Sequence, residues 1–422
     1  MDTRDYLHSP VYYSPEYTKC EYAKYISVSE FILLFVQHHL LPAAGIPGSR
    51  VATKEGKHMN IRATLLLFAS LCLILPLAGC WDVKDINKQY LPVVMGIGKG
   101  DKEKYRIILQ VPSASGRTLF LDKEAKSISK AIDLIRTDSE KSIDLVHLRL
   151  FLIDKELAQQ GIRDIIDYAV RANDISIKGL LAIVDGDFQK TLYHQISPTP
   201  EVSSYDFFSE EAGWTPNQSI VRIWEAYRSQ NSYSEEMAIP MLKNGKRTLF
   251  TFKGTAIMRN DRMAGTLSRD ETLLYNLFKG RYKGGTIEVA QNTSVLIQRA
   301  KIKHHTKWLA KGPSLLTDIR LNVVVTETPE GKSLKQIEKD VEQELTMRFD
   351  QTLAKIHSLN TDVMGTGLIF RPHLSEENIK QWKTKWFPRL DQRIHVDVNV
   401  LNEIYFKENN SKDQNQGFLK HS

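Results

Sequence analysis

Residues 59–82 read MNIRATLLLFASLCLILPLAGCWD, and this stretch constrains the chain more than any other. Arg62 gives a positive start, and an uncharged apolar run of about 15 residues follows to Leu77. That is the length of a signal-peptide core and short of the roughly 20 residues a helical span needs. Leu77-Ala78-Gly79-Cys80 then places small residues ahead of a cysteine, which is a lipobox. It predicts a diacylglyceryl group on the Cys80 thiol and cleavage before that residue. The alternative is a transmembrane anchor, since the uncharged run extends to Trp81. Pro76 suits a span's interior poorly, and a plain anchor has no reason to end in this tetrapeptide.

If residues 59–79 are a signal peptide, everything from Cys80 onward is tethered rather than embedded. Composition agrees, with 42% hydrophobic and 25% charged residues, as in an ordinary globular protein. The other two cysteines, Cys20 and Cys72, precede the cleavage point, so the remaining thiol is spent on lipid and a disulfide is not expected. The formal charge is +7. Residues 80–422 hold 50 Lys/Arg against 44 Asp/Glu, spread without a dense basic run. That gives no support for nucleic-acid binding and suits weak attraction to an anionic membrane surface.

Residues 1–58 do not match this design. They are rich in tyrosine at the start (Tyr12, Tyr13, Tyr17, Tyr22, Tyr25) and precede a complete signal peptide. The expectation is that they are a non-native leader and that Met59 is the initiator. Lys54-Glu55-Gly56-Lys57 fits, because its purine-rich codons can hold a ribosome-binding sequence. An unusually long basic leader region is the alternative.

Downstream, periodicity predicts mixed α and β structure. Residues 90–98 and 105–111 read as a hairpin, with Gly96, Gly98 and Gly100 at its turn. A phosphate loop would need a helix after the glycines, and a strand follows instead. A helix at 124–138, a strand at 146–153, a helix at 162–172 and a strand at 177–184 form a crossover unit, which predicts some parallel pairing. A helix at 217–230 follows. The pattern changes at 231–247, taken as the hand-over between an N-terminal α+β region, 80–246, and a C-terminal α+β region, 247–407. The second region predicts strands at 248–258, 263–267, 286–289, 294–304 and 318–326. Helices are expected at 270–278, 333–356 and 376–386, and a last strand at 394–406. The longest helix carries Leu334, Ile337, Val341, Leu345, Phe349 and Leu353 on one face, with Glu338, Glu342 and Glu344 assigned to solvent. Residues 408–422 read as a polar tail.

Motifs for catalysis are missing: there is no HExxH, GxSxG or GxxxxGK[ST]. His304 and His305 are adjacent on a strand and so point to opposite faces, which stops them sharing a metal. His147 is expected to be packed on a strand. Asp185-Gly186-Asp187 reads as a strand end. Asp362 and Arg371 lie near Gly365 and Gly367, with no reason to pair them. The expectation is a non-enzyme without catalytic, cofactor-binding or metal residues, and Cys80 is the one site residue.

Several short motifs occur in order along the chain. Cys80-Trp81-Asp82 is followed by Lys84-Asp85-Ile86-Asn87 and the strand ending Gly96-Ile97-Gly98. Then come residues 147–161 (HLRLFLIDKELAQQG) with a helix ending at Arg171, Phe252-Lys-Gly-Thr-Ala-Ile257 with Met263-Ala-Gly-Thr-Leu267, and Glu271-Thr272 at a helix start. Asp362-Val-Met-Gly365-Thr-Gly367 and then Trp386 close the set. Together they resemble the C subunits of spore germinant receptors, the GerAC-type lipoproteins. Thr366 stands where that family often has an aromatic, and the 58-residue leader has no family counterpart. The resemblance implies an α+β fold of three small domains and a lipid-anchored subunit on the outer face of the spore inner membrane. It also implies assembly with the receptor's A and B subunits in nutrient-triggered germination. A lipid-anchored solute-binding protein of a transporter is the rival, and it would want two similar lobes around an aromatic-lined cleft. A surface hydrolase would want the missing nucleophile and metal motifs.

Overall fold

The structure is a computed structural model, and it describes residues 85–401 apart from 114–116, 195–205, 210–211, 283, 290–292 and 330, together with Leu65 and Phe68. The expected leader, signal peptide, Cys80 and polar tail lie outside the described residues. The described residues from Asp85 to Leu401 belong to one compact unit.

The fold is α+β with three sheets. In chain order the first elements are β1 (Gln89–Tyr90), β2 (Val94–Lys99), β3 (Tyr105–Pro112) and β4 (Thr118–Ala125). Next come α1 (Ile128–Thr137), β5 (Ser142–Ile143), β6 (Leu150–Asp154), α2 (Lys155–Gln160), α3 (Arg163–Arg171), β7 (Leu180–Val184) and α4 (Phe188–Leu192). Then follow α5 (Ile223–Gln230), β8 (Ala238–Asn244), β9 (Phe250–Arg259), β10 (Arg262–Leu267) and α6 (Arg269–Phe278). The last part holds β11 (Thr286–Val289), β12 (Thr293–Leu309), β13 (Gly312–Glu327), α7 (Leu334–Ser358), α8 (Thr366–Phe370), α9 (Glu376–Lys380) and β14 (Asp391–Val400).

The largest sheet has eight strands in the order β10-β9-β8-β7-β6-β2-β3-β4. Its centre, β2, β6, β7 and β8, is parallel, as the crossover spacing predicts, and its flanks are antiparallel. Strands buried on both faces read as unbroken apolar runs. Leu150 to Ile153 and Leu180 to Val184 are buried throughout. One face packs on α1, α3 and α5 through Ile132, Ile166 and Ala226. The other packs on α4 and the buried Phe208. Gly96 and Gly98 lie inside β2 rather than at its turn. A Cβ at either position would lie 2.2 Å from Leu192 or 2.4 Å from Phe188, so the missing side chains let α4 seat on the sheet.

The second sheet runs β11-β12-β13-β14, with β13 and β14 parallel. Helix α7 covers one face, burying Ile337, Val341, Leu345 and Phe349 against Ile319, Leu321, Val396 and Val398. Each such buried side chain is worth about 1.5–3 kcal/mol. Ser333 caps α7 by accepting the N–H of Gln336. Ser268 and Glu271 form a capping box on α6, and Lys355 of α7 holds the same Glu271 at 2.8 Å. A two-stranded parallel sheet, β1 with β5, completes the fold.

Several expectations need correction. Strand β4 was not anticipated, because Asp122, Lys123 and Glu124 interrupt its apolar pattern. His147 sits in an exposed turn before β6, not on a strand. The expected helix at 217–230 begins only at Ile223, and the one at 376–386 breaks after Lys380 into a π-helical turn, Trp382–Trp386. Glu338 and Glu342 are half-buried rather than free in solvent: they accept the backbone N–H groups of Val400 and Val398 at 3.0 Å each. Glu344 pairs with Arg348 one turn on. The antiparallel partners β8 and β9 lie on either side of residues 246–247, so the sheet is continuous through that hand-over.

Candidate functional site

A dense buried polar constellation lies where the chain after α7 meets the eight-stranded sheet. Its centre is Asp362, which is 1% exposed. One carboxylate oxygen accepts the N–H of Thr366 at 2.8 Å and its hydroxyl at 2.9 Å. The other accepts the N–H of Gly367 at 2.8 Å and the indole N–H of Trp382 at 2.9 Å. Burial pushes this carboxyl above the ordinary carboxylate range, and the four donors pull the other way. With four donors converging on its two oxygens, the geometry fits the carboxylate.

The spacing Asp-x-x-Gly-x-Gly follows from this turn. Gly365 has φ of 69°, in the left-handed region that glycine enters at little cost. A Cβ on Gly367 would lie 2.6 Å from the Ser234 carbonyl oxygen and from the Trp382 indole nitrogen. Thr366 is fully buried and spends its hydroxyl on Asp362. Arg371 is exposed and is not one of the partners of Asp362.

Around this turn the chain is clamped to the sheet. The Asp362 carbonyl accepts the N–H of Glu236 at 3.0 Å, and the Thr361 hydroxyl reaches the Met258 carbonyl at 2.6 Å. Buried Glu236 accepts the N–H of Asn260 and pairs with Lys383 at 3.0 Å; burial raises its carboxyl. Glu235 takes Arg228 at 2.8 Å. Lys279 at the end of α6 reaches the Met364 carbonyl at 3.4 Å, and burial pushes its ammonium below the ordinary lysine value. Each acidic group here is held by donors of the protein. The Thr366 hydroxyl on Asp362 is fully buried, and the constellation acts as a fastening between the sheet and the C-terminal elements.

His304 and His305 point to opposite faces, as expected. His304 is half-buried, 3.0 Å from the Thr317 hydroxyl and with its ring tilted against Phe278, while His305 reaches Asp318 on the outside. Asp185, at the end of β7, is held by Lys155 at 2.9 Å and by Lys253. Asp187 caps α4. Sequence reasoning missed Glu235, Glu236, Lys279 and Lys383. The turn motif at Asp362 was the one available signal, and its partners lie too far along the chain to be paired by spacing.

Comparison with known proteins decides the family. Residues 82–244 match the family described as spore germination protein N-terminal domain, and residues 253–403 match spore germination B3/GerAC like, C-terminal. The chain belongs to the GerAC family of spore germination proteins. Relatives include spore germination protein B3 of Bacillus subtilis (strain 168), 24% identical over 78% of this chain and 95% of that protein. Another is spore germination protein GerQC of Bacillus cereus, 21% identical over 72% of this chain and 84% of its own length. The crystal structure of the GerBC protein shares the fold, with a TM-score of 0.51, 18% identity, and coverage of 73% of this chain and 97% of that one. The likeness to germinant receptor C subunits read from the short motifs therefore holds, and the chain has a role in spore germination. The junction between the two matched regions runs from the end of β8 at Asn244 to residue 253, inside β9.

Proposed function

We propose that this chain is the lipid-anchored C subunit of a nutrient germinant receptor, held at the outer face of the spore inner membrane through diacylglyceryl-Cys80. It acts there without catalysis, as an assembly and signalling component beside the A and B subunits. The observation that carries this reading is the position of the lipobox. Leu77-Ala78-Gly79-Cys80 ends two residues before the family match begins at Asp82, so cleavage ahead of Cys80 would start the mature chain where the family domain starts. One acyl chain holds a protein to a membrane only marginally, whereas two or three hold it stably. Among the described residues no helix is long and apolar enough to cross a membrane.

A static role also fits the Asp362 constellation, whose carboxylates are consumed by internal donors. The solute-binding reading is not favoured. The two regions are unlike: the first supplies six strands of the mixed sheet, and the second supplies its other two together with four strands under a long helix. An open pocket of 350 Å³ at the β9–β10 turn is lined by Arg259, Asn260, Asp261 and Arg262 rather than by aromatic rings. Co-purification of the full chain with two integral membrane proteins tests the assembly role. Tight binding of an amino acid or sugar by the chain without those partners would overturn it.

A further inference from the structure

The two outer strands of the four-stranded sheet end differently. The edge of β14 is plugged by Glu338 and Glu342. On the outer side of β12 the pairing with β11 stops at Leu296, and the Ile297 N–H reaches the Gly285 carbonyl. Beyond that, no described strand lies beside β12.

The hairpin turn fixes which backbone groups face outward. Two residues, Ala310 and Lys311, separate the paired Leu309 and Gly312. In a two-residue hairpin the closing pair shares hydrogen bonds, and bonded and non-bonded pairs alternate from there. The N–H and C=O groups of Ile302, His304, Thr306 and Trp308 therefore point away from β13. Two details agree. Pro313, which has no N–H to give, stands opposite Trp308. The carbonyl of Ala300, the next of the same series, accepts the Tyr282 hydroxyl.

The same strand carries an unbalanced charge. Arg299, Lys301, Lys303, Lys307 and Lys311 fall within residues 298–311, which include no Asp or Glu. Among the described residues none of the five has an ion-pair partner. The acids nearest in the sheet are already engaged: Asp318 holds His305 and lies by His395, and Asp397 pairs with Arg320. The excess is thus one strand wide. A flat anionic surface laid on the sheet would meet Asp318, Asp391 and Asp397 as well, whereas a strand lying beside β12 would meet cations alone. Lysines on a free edge discourage pairing with a second copy of the same strand, and the same charges favour a strand of opposite sign.

We propose that the outer edge of β12, from Ile302 to Trp308, is a docking edge for an extended acidic segment of a partner protein, which adds as a further strand. Strand addition draws affinity from main-chain hydrogen bonds and specificity from alternate side chains. Carboxylates at every second position of the segment would face Lys301, Lys303 and Lys307. The intervening residues would lie beside half-buried Ile302, His304 and Thr306. This inference does not depend on acylation of Cys80.

The test uses the full chain and a fluorescent synthetic peptide alternating glutamate with threonine over about ten residues. The expected result is saturable binding with slowed amide exchange at residues 302–308. Thr306→Pro removes one outward N–H and leaves the β12–β13 ladder intact. It should weaken binding by about tenfold, as should Lys301→Glu with Lys303→Glu, while Thr306→Val binds normally. A peptide N-methylated at alternate residues keeps its charge and should fail to bind, which serves if Thr306→Pro does not fold. Absence of peptide binding overturns the proposal. So does binding that ignores both Thr306→Pro and N-methylation, since that is charge attraction without a strand. Binding to phosphatidylglycerol vesicles but not to the peptide, lost on lysine reversal, would assign the edge to a lipid surface instead.

Discussion

Glu342 on α7 accepts the backbone N–H of Val398 on β14 at 3.0 Å. With Glu338 on Val400, it satisfies donors that an edge strand would otherwise present to any passing chain. Glu342→Ala should cost about 1–2 kcal/mol, and the Glu338→Ala/Glu342→Ala pair should also self-associate. Glu342→Gln keeps an accepting oxygen and should behave nearly as the wild type. Denaturant unfolding and sedimentation velocity read the two effects. A monomeric, fully stable double variant would mean the carboxylates do not protect the edge.

Asp362→Ala leaves the Thr366 and Gly367 N–H groups and the Trp382 indole without an acceptor in a dry site. The expected loss is about 3–5 kcal/mol, seen as a lower urea midpoint at unchanged slope. Asp362→Asn should also destabilise, because its NH2 meets N–H donors whichever way it turns. A midpoint within experimental error of wild type for Asp362→Ala would remove this turn from the fold's essential contacts.

The two glycines of the turn should respond differently. At Gly367 a methyl group meets the Ser234 backbone, which cannot step aside, so Gly367→Ala should cost roughly 2–4 kcal/mol. At Gly365 the obstacle is the flexible end of Lys279, and the cost is mainly that of φ at 69°, about 1 kcal/mol. Thermal melts of both variants check the order, and equal losses would contradict the assigned causes.

Two groups set separate acid windows. Backbone N–H groups of Asp101 and Lys102, with Arg106, hold the Glu124 carboxyl down at about 2. Burial holds His304 down at about 4. Both are depressed relative to the unfolded chain, so each contribution is present above its unfolded value and lost as the pH falls through the folded one. His304→Gln should flatten the stability loss between pH 6.5 and about 4, and Glu124→Gln the loss between pH 4.5 and about 2. Unfolding midpoints measured at stepped pH distinguish them. Identical profiles for wild type and His304→Gln above pH 4 would refute the first assignment.

Much of this was legible because periodicity survives wherever one environment acts along an element. The three- and four-residue apolar steps of α7 and the apolar runs of β6 and β7 are examples. The parallel crossover followed from the spacing between those strands. Strand β4 was hidden because Arg106 neutralises Glu124 from the neighbouring strand, a pairing visible only in three dimensions. The partner of Asp362, Trp382, lies twenty residues away across a break in the helix pattern. Glu338 and Glu342 looked solvated because helical periodicity gives the side of a helix but not what lies against its flank.

The clamp at Asp362 bears on how this chain is made. Residues 234–237 and 258–260 leave the ribosome well before Thr361, Asp362 and Lys383, which they must grip. At about 5–20 residues per second, some seconds pass with the sheet built but its last fastening missing. Through that interval Glu235 and Glu236 stay in water, and they lose it only when the C-terminal elements arrive. The two family regions are therefore expected to reach their final stability together, as one cooperative unit, despite being readable as two.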